Sequence, residues 1–512
     1  MTAPRWDIAR LLAVSAEYLA GKGSCSPRLD AELLLAEILG MARVDLYTQY
    51  DRPLSAAEVD AYRALVARRA RHEPTAYILG RAAFRYLTLE VSPAVLIPRP
   101  ETEELVQTVL DWLEVRPLLP PDAALPVDSP PRIADVGTGS GAIALSLARE
   151  AGVRVLATDT SEEALAVAGR NRAVLELQTR VELRRADLLA GTPAGGLRLV
   201  VSNPPYVSDA EYAALAPDIR LFEPAVALRG GPDGLDVYRR LVPQAHVALG
   251  AGGALFLEVG ETQAAAVAEL ASTCGFALVD VFRDLAGKER IVRAVKAGAP
   301  LLEAQALAPP VVAALRRALE RGAVLGVPTD TVYGLAAAWS SSAGVRRVFA
   351  AKGRGEERPV AVLFPSVAEV RAALPDLADS AARVLGALLP GPYTFVVATA
   401  VPRPPLVGTP DSLGVRVPDH PPLLDLLGAL DVPLAATSAN LSGQPEAATA
   451  AEAAPNVLAH CTAALSLGKP PAGRPSTVVD LRPLATGGTP VVLREGAVPA
   501  VEVLARIQAA LR

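Results

Sequence analysis

The feature that most constrains the fold is a regular alternation of apolar β-like segments with helical segments between residues 132 and 296. Strands that alternate with helices pack as a parallel sheet with helices on both faces, because each crossover helix covers the sheet that it connects. We predict parallel strands at RIADVG, VRVLATD, VELRRAD, LRLVVSNPP and GALFLEVG, and a closing hairpin formed by FALVDVFRD and ERIVRAVK. The sequence therefore predicts a doubly wound α/β unit.

The chain has 512 residues, which is too many for one ordinary domain. Its N-terminal segment has the 3.6-residue periodicity of helices, and a Pro-rich stretch precedes the α/β unit. A second α/β unit follows an Ala/Pro-rich segment, which we interpret as a linker between independent halves, and the halves share no obvious repeat. The expected divisions are a helical domain (1–75), a β-hairpin connector (76–131), the first α/β unit (132–296), a linker (297–310) and the second α/β unit (311–512).

Charge and cysteine content exclude several classes of protein. The net charge is −5, which argues against broad, non-specific nucleic-acid binding. No apolar run reaches the ~18 residues that span a membrane, and the first residues include an acid and a tryptophan where a signal peptide needs an apolar core. We therefore expect a cytoplasmic protein. Cys25, Cys274 and Cys461 form no CxxC pair, so neither a disulfide framework nor a zinc site is expected.

A Gly-rich turn follows the first predicted strand of the α/β unit. In DVGTGSGAIAL, Gly137, Gly139 and Gly141 let the backbone approach a ligand, and the following helix offers unpaired N–H groups. Asp159 and Asp187 close the next two strands, where carboxylates reach ribose hydroxyls and an adenine amino group. These features predict a nucleoside-cofactor site, and the alternative is a turn that serves only packing.

The sequence VSNPPYV follows the fourth strand, and its two prolines must take the chain out of the sheet. The side-chain oxygen of Asn203 and the carbonyl of Pro204 can together accept both hydrogens of a planar NH2 group, and Tyr206 can stack on a planar substrate. Two such hydrogen bonds orient the nitrogen lone pair toward a methyl group, which is catalysis by positioning. The alternative is a structural Asn-Pro turn.

GTGSG with NPPY resembles the motifs of amino-methyltransferases that use S-adenosylmethionine. Further segments, PTAYILGRAAFRYLTLEVSPAVLIPRPETEELV, RLFEPAVAL, GLDVYRRL and RDLAGKERIV, resemble the PrmC (HemK) family of protein-glutamine methyltransferases over residues 5–296. The resemblance implies N5-methylation of the glutamine in the GGQ motif of class-1 peptide release factors. It places glutamine binding on Asn203, Pro204, Pro205 and Tyr206, and catalysis on Asn203, Pro204 and Tyr206. It places cofactor binding on Gly137, Thr138, Gly139, Ser140, Gly141, Asp159, Asp187, Leu188 and Asn203.

Leu188 departs from the family pattern, because many members have an aromatic residue there beside the adenine. The alternative function for this half is adenine-N6 methylation of a nucleic acid by the same NPPY chemistry. That function needs a target-recognition region and a basic groove, and neither is evident in an acidic chain with a short helical first domain.

Two motifs open the second half. VPTDTVYGLA is predicted to form a turn between a strand and a helix, where its hydroxyls either hold a small polar ligand or cap the helix. FAAKGRGEERPVAVLF places Lys352, Arg354 and Arg358 beside a glycine before an apolar strand, which suits a polyphosphate. The alternative for this second motif is a solvated basic turn.

With LLPGPYTFVV, SLGVRVPDHP, AATSANLSG, RPSTVVDL and VVLREG, these motifs resemble the YrdC-like threonylcarbamoyl-AMP synthases over residues 309–512. The resemblance implies a twisted open α/β sheet and a positively charged cavity. It implies that L-threonine, bicarbonate and ATP, with Mg²⁺ but no metal-ligating side chain, give threonylcarbamoyl-AMP and pyrophosphate. The resemblance also implies that the product supplies the machinery that forms t6A in tRNA, and that this half contacts tRNA.

The resemblance assigns threonine binding to Thr331 and Arg416. It assigns ATP binding to Lys352, Arg354, Arg358, Ser412, Ser438, Asn440, Ser476 and Arg494. Arg358 and Leu363 depart from residues common in the family, and we expect an active short form without the additional C-terminal domain of the long form. The alternative for this half is a YrdC-like module that binds RNA without catalysis.

Overall fold

The computed structural model describes residues 6–116, 132–304, 307–353, 360–441, 443–468 and 471–512. They form a seven-stranded sheet, a ten-stranded sheet and a two-stranded hairpin. Helices pack against both large sheets, so the predicted α/β class with a helical N-terminal region is confirmed. No helix in the described ranges is both long and apolar enough to cross a membrane.

The N-terminal region is helical because local capping signals and an apolar face agree. Ser55 and Glu58 form a capping box, in which Glu58 N donates to Ser55 Oγ at 3.2 Å and Ser55 N donates to Glu58 Oε2 at 2.7 Å. Tyr62 and Leu34 are fully buried in the shared core. The helices are α1 (Ile8–Gly21), α2 (Pro27–Leu39), α3 (Arg43–Thr48), α4 (Ala56–Arg69) and α5 (Thr75–Leu79).

A hairpin and a long helix connect this region to the first sheet. The hairpin pairs β1 (Arg81–Phe84) with β2 (Leu87–Glu90) in antiparallel register. The helix α6 (Pro100–Val115) begins with proline, whose fixed φ suits a first turn, and packs Trp112 edge-on against Phe256 of the sheet.

The first large sheet has the predicted parallel arrangement. Its order is β5-β4-β3-β6-β7-β9-β8, and the last two strands form the predicted antiparallel hairpin. Every residue of β3 is buried, as expected for a strand covered on both faces. The strands are β3 (Ile133–Val136), β4 (Val155–Asp159), β5 (Val181–Arg185), β6 (Leu197–Ser202), β7 (Leu249–Glu258), β8 (Phe276–Arg283) and β9 (Glu289–Lys296).

The helices of this unit connect its strands and cover the sheet. Because the crossovers return the chain between parallel strands, the carboxyl ends of β3, β4, β5 and β6 meet at one edge. The helices are α7 (Ala142–Glu150), α8 (Glu162–Val174), α9 (Asp209–Ala214), α10 (Pro217–Phe222), α11 (Asp236–Ala248) and α12 (Ala264–Thr273).

The second large sheet is mixed. Its order is β10-β17-β11-β12-β16-β13-β15-β14-β18-β19, in which β11 with β12 and β12 with β16 are antiparallel. Its strands are β10 (Leu301–Glu303), β11 (Val324–Pro328), β12 (Tyr333–Ala338), β13 (Ala361–Leu363), β14 (Tyr393–Ala398), β15 (Ser412–Arg416), β16 (Leu434–Ser438), β17 (Ala463–Ser466), β18 (Thr477–Asp480) and β19 (Val491–Arg494). The helices are α13 (Pro309–Glu320), α14 (Ser342–Lys352), α15 (Val367–Ala373), α16 (Asp379–Leu388), α17 (Pro421–Leu430), α18 (Pro455–Leu458) and α19 (Ala500–Leu511).

One local prediction is wrong in this unit. VPTDTVYGLA does not join a strand to a helix, because its second part is strand β12, and the hydroxyls therefore cap no helix. Leu and Ala favour helices locally, but β12 is buried along its whole length between β11 and β16. Tertiary pairing outweighs the intrinsic preference of such residues, which amounts to less than about 1 kcal/mol for each.

The two halves contact each other in the described residues. β10 falls within the segment expected to be a linker, and it pairs with β17 in parallel register. Arg116, at the end of α6, donates to the carbonyl of Ala459 at 2.6 Å, just beyond α18. Thr462 Oγ1 donates to the carbonyl of Val115 at 2.7 Å. The segment is thus not free chain throughout, and the halves share an interface.

We expect Arg116→Ala to destabilise the protein by about 1–3 kcal/mol, because it leaves buried carbonyls without their donor. Arg116 is 8% exposed, and burial lowers its pKa to about 9. Arg321→Ala is the matched control, since Arg321 pairs across the same interface with Glu114 but both side chains are half-exposed. Urea unfolding followed by circular dichroism measures both variants. Equal losses would contradict a structural role for Arg116.

Candidate active sites

The Gly-rich turn lies at the carboxyl edge of the first sheet, where it opens onto a crevice. Gly137 and Gly139 have φ of 73° and 55°, a backbone conformation that favours glycine. A Cβ placed on either residue would meet nothing within 4 Å, so the space above the turn is open. Gly139 N donates to Asp159 Oδ2 at 2.9 Å, which ties the turn to the end of β4.

A buried carboxylate beneath the turn holds its shape. Asp135 accepts hydrogen bonds from Thr138 Oγ1 at 2.7 Å and from Ala144 N at 3.1 Å. Its side chain is fully buried, and burial raises its pKa to about 7. Asn171 supports the other end of the turn, because its Nδ2 donates to the carbonyl of Ser140 at 2.9 Å.

The crevice has a volume of about 320 Å³. Asp187 lies two residues beyond β5, where it forms an exposed ion pair with Arg240. Leu188 has a φ of 55°, and its carbonyl accepts from Thr158 Oγ1 at 3.0 Å. The predicted residues that line the crevice are Gly137, Thr138, Gly139, Ser140, Asp159, Asp187, Leu188, Asn203 and Pro205.

Gly141, Pro204 and Tyr206 adjoin this lining without belonging to it. Gly141 precedes the first residue of α7 and has a φ of 87°. Pro204 is buried, and no described residue donates to its carbonyl. Burial raises the pKa of Tyr206 to about 12, and Gln263 Nε2 donates to the carbonyl of Tyr206 at 2.9 Å.

A glycine loop fixes the NPPY segment. Val207 N donates to the carbonyl of Leu228 at 2.8 Å, and Gly230 N donates to the carbonyl of Val207 at 2.8 Å. A Cβ on Gly234 would lie 2.3 Å from the carbonyl oxygen of Tyr206, so a larger residue would displace the segment. The backbone at the end of β6 is therefore held in one conformation.

A chain of hydrogen bonds links Asn203 to two polar residues, Thr102 and Glu258, that are not among the predicted site residues. Asn203 Nδ2 donates to Thr102 Oγ1 at 2.9 Å, and Thr102 Oγ1 donates to Glu258 Oε2 at 2.7 Å. Thr102 lies in the first turn of α6, and Glu258 ends β7. The segment PETEELV contains Thr102, but the sequence offers no sign that Thr102 contacts Asn203, which is 101 positions away.

The second half contains a cavity of about 250 Å³ on the mixed sheet. Arg416 is 7% exposed, and its Nη2 donates to Thr331 Oγ1 at 2.6 Å and to Thr329 Oγ1 at 3.3 Å. Arg416 also forms an ion pair with Asp330. Within the described part of the chain, Arg416 Nε and Asp330 Oδ2 are buried without a hydrogen-bond partner.

Lys352 ends α14 and reaches the loop after β16. Its Nζ donates to the carbonyl of Ser438 at 2.6 Å, to Ser438 Oγ at 3.1 Å and to Asn440 Oδ1 at 3.0 Å. Ser438 lines the cavity, whereas Lys352 and Asn440 are not among the residues that line it. The three predicted residues thus form one cluster at the cavity wall.

Three further predicted nucleotide-binding residues, Ser412, Ser476 and Arg494, line the cavity. Arg494 Nη2 donates to the carbonyl of Ser476 at 2.9 Å, and Ser476 Oγ lies 2.8 Å from Thr394 Oγ1. Ser412 Oγ lies 2.5 Å from Thr409 Oγ1. Arg354 and Arg358 lie outside the described residues.

In the first half, a Gly-rich turn and an NPPY segment share one crevice of a doubly wound sheet, which is the arrangement of a nucleoside-dependent amino-methyltransferase. Residues 10–80 match the PrmC N-terminal domain model, and residues 123–228 match the methyltransferase small domain model. The chain is 39% identical over 295 residues to a release factor glutamine methyltransferase of Rhodopirellula baltica, covering 57% of this chain and 97% of the relative. It is 41% identical over 290 residues to that of Geobacter sulfurreducens, covering 56% and 96%. The first half of the chain therefore belongs to the release factor glutamine methyltransferase family.

Residues 317–496 match the Sua5/YciO/YrdC family model, whose description is telomere recombination. A solved structure of P. abyssi Sua5 complexed with L-threonine is 28% identical, with a TM-score of 0.37. The match covers 41% of this chain and 60% of that protein, so the chain spans about three fifths of its length. The predicted combination of a PrmC-family methyltransferase with a YrdC-like domain is confirmed.

Proposed function

We propose that the first half transfers the methyl group of S-adenosylmethionine to the side-chain nitrogen of a release-factor glutamine. The observation that carries this proposal is the position of Asn203, which lines the same crevice as the Gly-rich turn. Membership of the release factor glutamine methyltransferase family supports the choice of glutamine over a nucleic-acid base.

The crevice suits a nucleoside cofactor, because open space lies above Gly137 and Gly139 and the carboxylate of Asp159 lines the same crevice. Gly137 to Gly141 would contact the amino-acid part of the cofactor, Asp159 the ribose, and Asp187 and Leu188 the adenine. When bound, S-adenosylmethionine would supply an electrophilic methyl group, with the thioether S-adenosylhomocysteine as the leaving group and one amide proton released to solvent.

The residues of the chain supply orientation to the amide. Asn203 Oδ1 and the carbonyl of Pro204 are acceptors to which no described residue donates, and each takes one N–H of the glutamine. An amide nitrogen is a weak nucleophile, since its lone pair is delocalised into the carbonyl. Holding both hydrogens in fixed acceptors directs the lone pair toward the methyl group, and Tyr206 packs beside the planar amide.

Methyl transfer from labelled S-adenosylmethionine tests this proposal, with a class-1 release factor and duplex DNA offered as separate acceptors. Label on the release factor alone is expected. Label on DNA would retain the chemistry of the NPPY segment but would overturn the proposed substrate.

We propose that the second half forms threonylcarbamoyl-AMP and pyrophosphate from L-threonine, bicarbonate and ATP. The observation that carries this proposal is the guanidinium of Arg416, which lines the cavity and has a buried Nε without a hydrogen-bond partner among the described residues. Buried polar groups without partners are rare in proteins, and a guanidinium N–H matches the carboxylate of an amino acid. This match supports threonine as the ligand beside Thr331, whose hydroxyl contacts Arg416.

The cluster around Lys352 would hold the nucleotide. Lys352 supplies a nearly buried positive charge beside Ser438 and Asn440, and Arg494 supplies a second charge beside Ser476. We propose that Ser412, Arg354 and Arg358 complete this site, and that Mg²⁺ accompanies ATP to neutralise its phosphates. The carbamate of threonine attacks the α-phosphate, and pyrophosphate leaves. The product would serve t6A formation in tRNA, and the whole chain would act on translation in the cytoplasm.

We expect Lys352→Met to lower pyrophosphate release at least about 100-fold, because it removes a fixed charge that stabilises the departing phosphates. The assay measures release from ATP that depends on both threonine and bicarbonate. Arg346→Met is the control, since Arg346 is an exposed residue earlier on α14. Binding of double-stranded RNA by wild-type protein, without any pyrophosphate release, would replace the synthase by an RNA-binding module.

A further inference from the structure

Two hydrogen bonds define the orientation of the Asn203 amide. Thr102 Oγ1 lies 2.7 Å from Glu258 Oε2 and 2.9 Å from Asn203 Nδ2. A threonine hydroxyl has one hydrogen, while an ionised carboxylate only accepts. If Thr102 donates to Glu258, it can only accept from the amide group, so the atom that faces Thr102 must be the nitrogen of Asn203.

We infer that Thr102 and Glu258 are positioning residues that hold the Asn203 oxygen toward the glutamine to be methylated. The inference rests on the proposed methyl transfer and deepens it. Neither residue needs to touch the reacting nitrogen. Their effect passes through Asn203, whose oxygen is the acceptor for one hydrogen of the substrate amide.

The opposite orientation of Asn203 is unfavourable at both ends. Its oxygen would face a Thr102 oxygen whose hydrogen is already given to Glu258. Its NH2 group would face the NH2 group of the substrate, which then has no acceptor. A buried polar group that loses its partner costs about 10- to 100-fold in an equilibrium or a rate.

The two positioning residues belong to separate, rigid elements. Thr102 is 4% exposed in α6, and Glu258 is 1% exposed at the end of β7. Tyr238 of α11 donates its hydroxyl to the carbonyl of Glu258 at 2.7 Å, which fixes the backbone there. The orientation of Asn203 is therefore set before any substrate binds.

The direction of the hydrogen bonds depends on the ionisation of Glu258. Protonated Glu258 can donate to Thr102, which frees the threonine hydrogen for the Asn203 oxygen and permits the unproductive orientation. Burial raises the pKa of Glu258 to about 7, and the hydrogen bonds from Thr102 and Asn203 oppose that rise. Two charged groups face Glu258, of which Glu101 raises its pKa and Arg290 lowers it. The nearby phenols of Tyr206 and Tyr238 are neutral near pH 7, and burial raises their pKa values further.

We expect Thr102→Val to lower kcat for release-factor methylation about 10- to 100-fold. Its KM for the release factor and its affinity for S-adenosylmethionine should change less than about 3-fold, since the remote contacts of both ligands remain. Thr102→Ser, which restores the hydroxyl, should recover kcat to within about 3-fold of wild type. If Thr102 served only packing, the isosteric valine would preserve kcat at least as well as serine does.

The pH profile of kcat supplies the second readout. At saturating cofactor, which removes any effect of Asp135 on cofactor binding, wild-type kcat should rise with pH through about 7 as Glu258 ionises. Glu258→Gln keeps an acceptor for Thr102 but cannot ionise, so this limb should disappear. Three results would each overturn the inference. The first is an unchanged kcat in Thr102→Val, and the second is a failure of Thr102→Ser to recover the activity lost in Thr102→Val. The third is a pH limb that remains unchanged in Glu258→Gln. Failure of the wild-type protein to methylate the release factor would instead overturn the proposed function.

Discussion

Replacing Arg416 by alanine is expected to destabilise the second half by about 3–5 kcal/mol and to abolish threonine binding. The carboxylate of Asp330 is 9% exposed and pairs with Arg416, which is equally buried. Removing one partner of a buried ion pair leaves the other charge uncompensated, and this accounts for the expected size of the loss. The same substitution removes the Nε donor proposed to bind the threonine carboxylate.

Urea unfolding followed by circular dichroism measures the stability loss. Arg416→Lys is the conservative control, which keeps the charge but loses the planar donor fork. It should retain more stability than alanine while still binding threonine poorly. A loss below about 1 kcal/mol for Arg416→Ala would mean that Asp330 does not need this partner.

The two active sites are expected to fail separately when each loses its asparagine. Asn203→Ala should lower methyl transfer about 100- to 1000-fold, because it removes the acceptor that orients the amide. Asn440→Ala should lower pyrophosphate release about 10-fold, because Lys352 loses one of its acceptors and its position changes. Each variant should leave the other activity within about 2-fold of wild type.

Each variant thus serves as the matched control for the other, with the same substitution in the same chain. Both activities are measured on one preparation of each protein. Loss of both activities in either variant would contradict separate sites. It would instead point to coupling through the interface at Arg116.

The sequence predicted those parts of the protein whose chemistry is local. The strand-helix alternation determined the first sheet, since each strand is a short apolar run bounded by turn residues. Asn203, Pro204, Pro205 and Tyr206 are contiguous, so their common position at the end of β6 followed from the strand before them. Prolines after an apolar strand also require the chain to leave the sheet.

Contacts between distant segments could not be predicted in this way. Thr102 and Glu258 are separated by 156 positions, and they meet only because α6 packs across the sheet that contains β7. Asp330 was present in a recognised motif, but its importance became evident from its burial beside Arg416. The strand β10 lies in an Ala/Pro-rich segment whose composition indicates a linker, and it gains its structure from pairing with β17.

The most direct test of the central claim is to locate the methyl group that the full chain transfers. The protein is incubated with S-adenosylmethionine and one of three acceptors, and the products are analysed by mass spectrometry. The acceptors are a class-1 release factor, the same factor with its GGQ glutamine changed to alanine, and duplex DNA. We predict one methyl group on that glutamine side chain, no methylation of the alanine-substituted factor and none of the DNA. A methyl group on adenine, or on the alanine-substituted factor, would contradict the account.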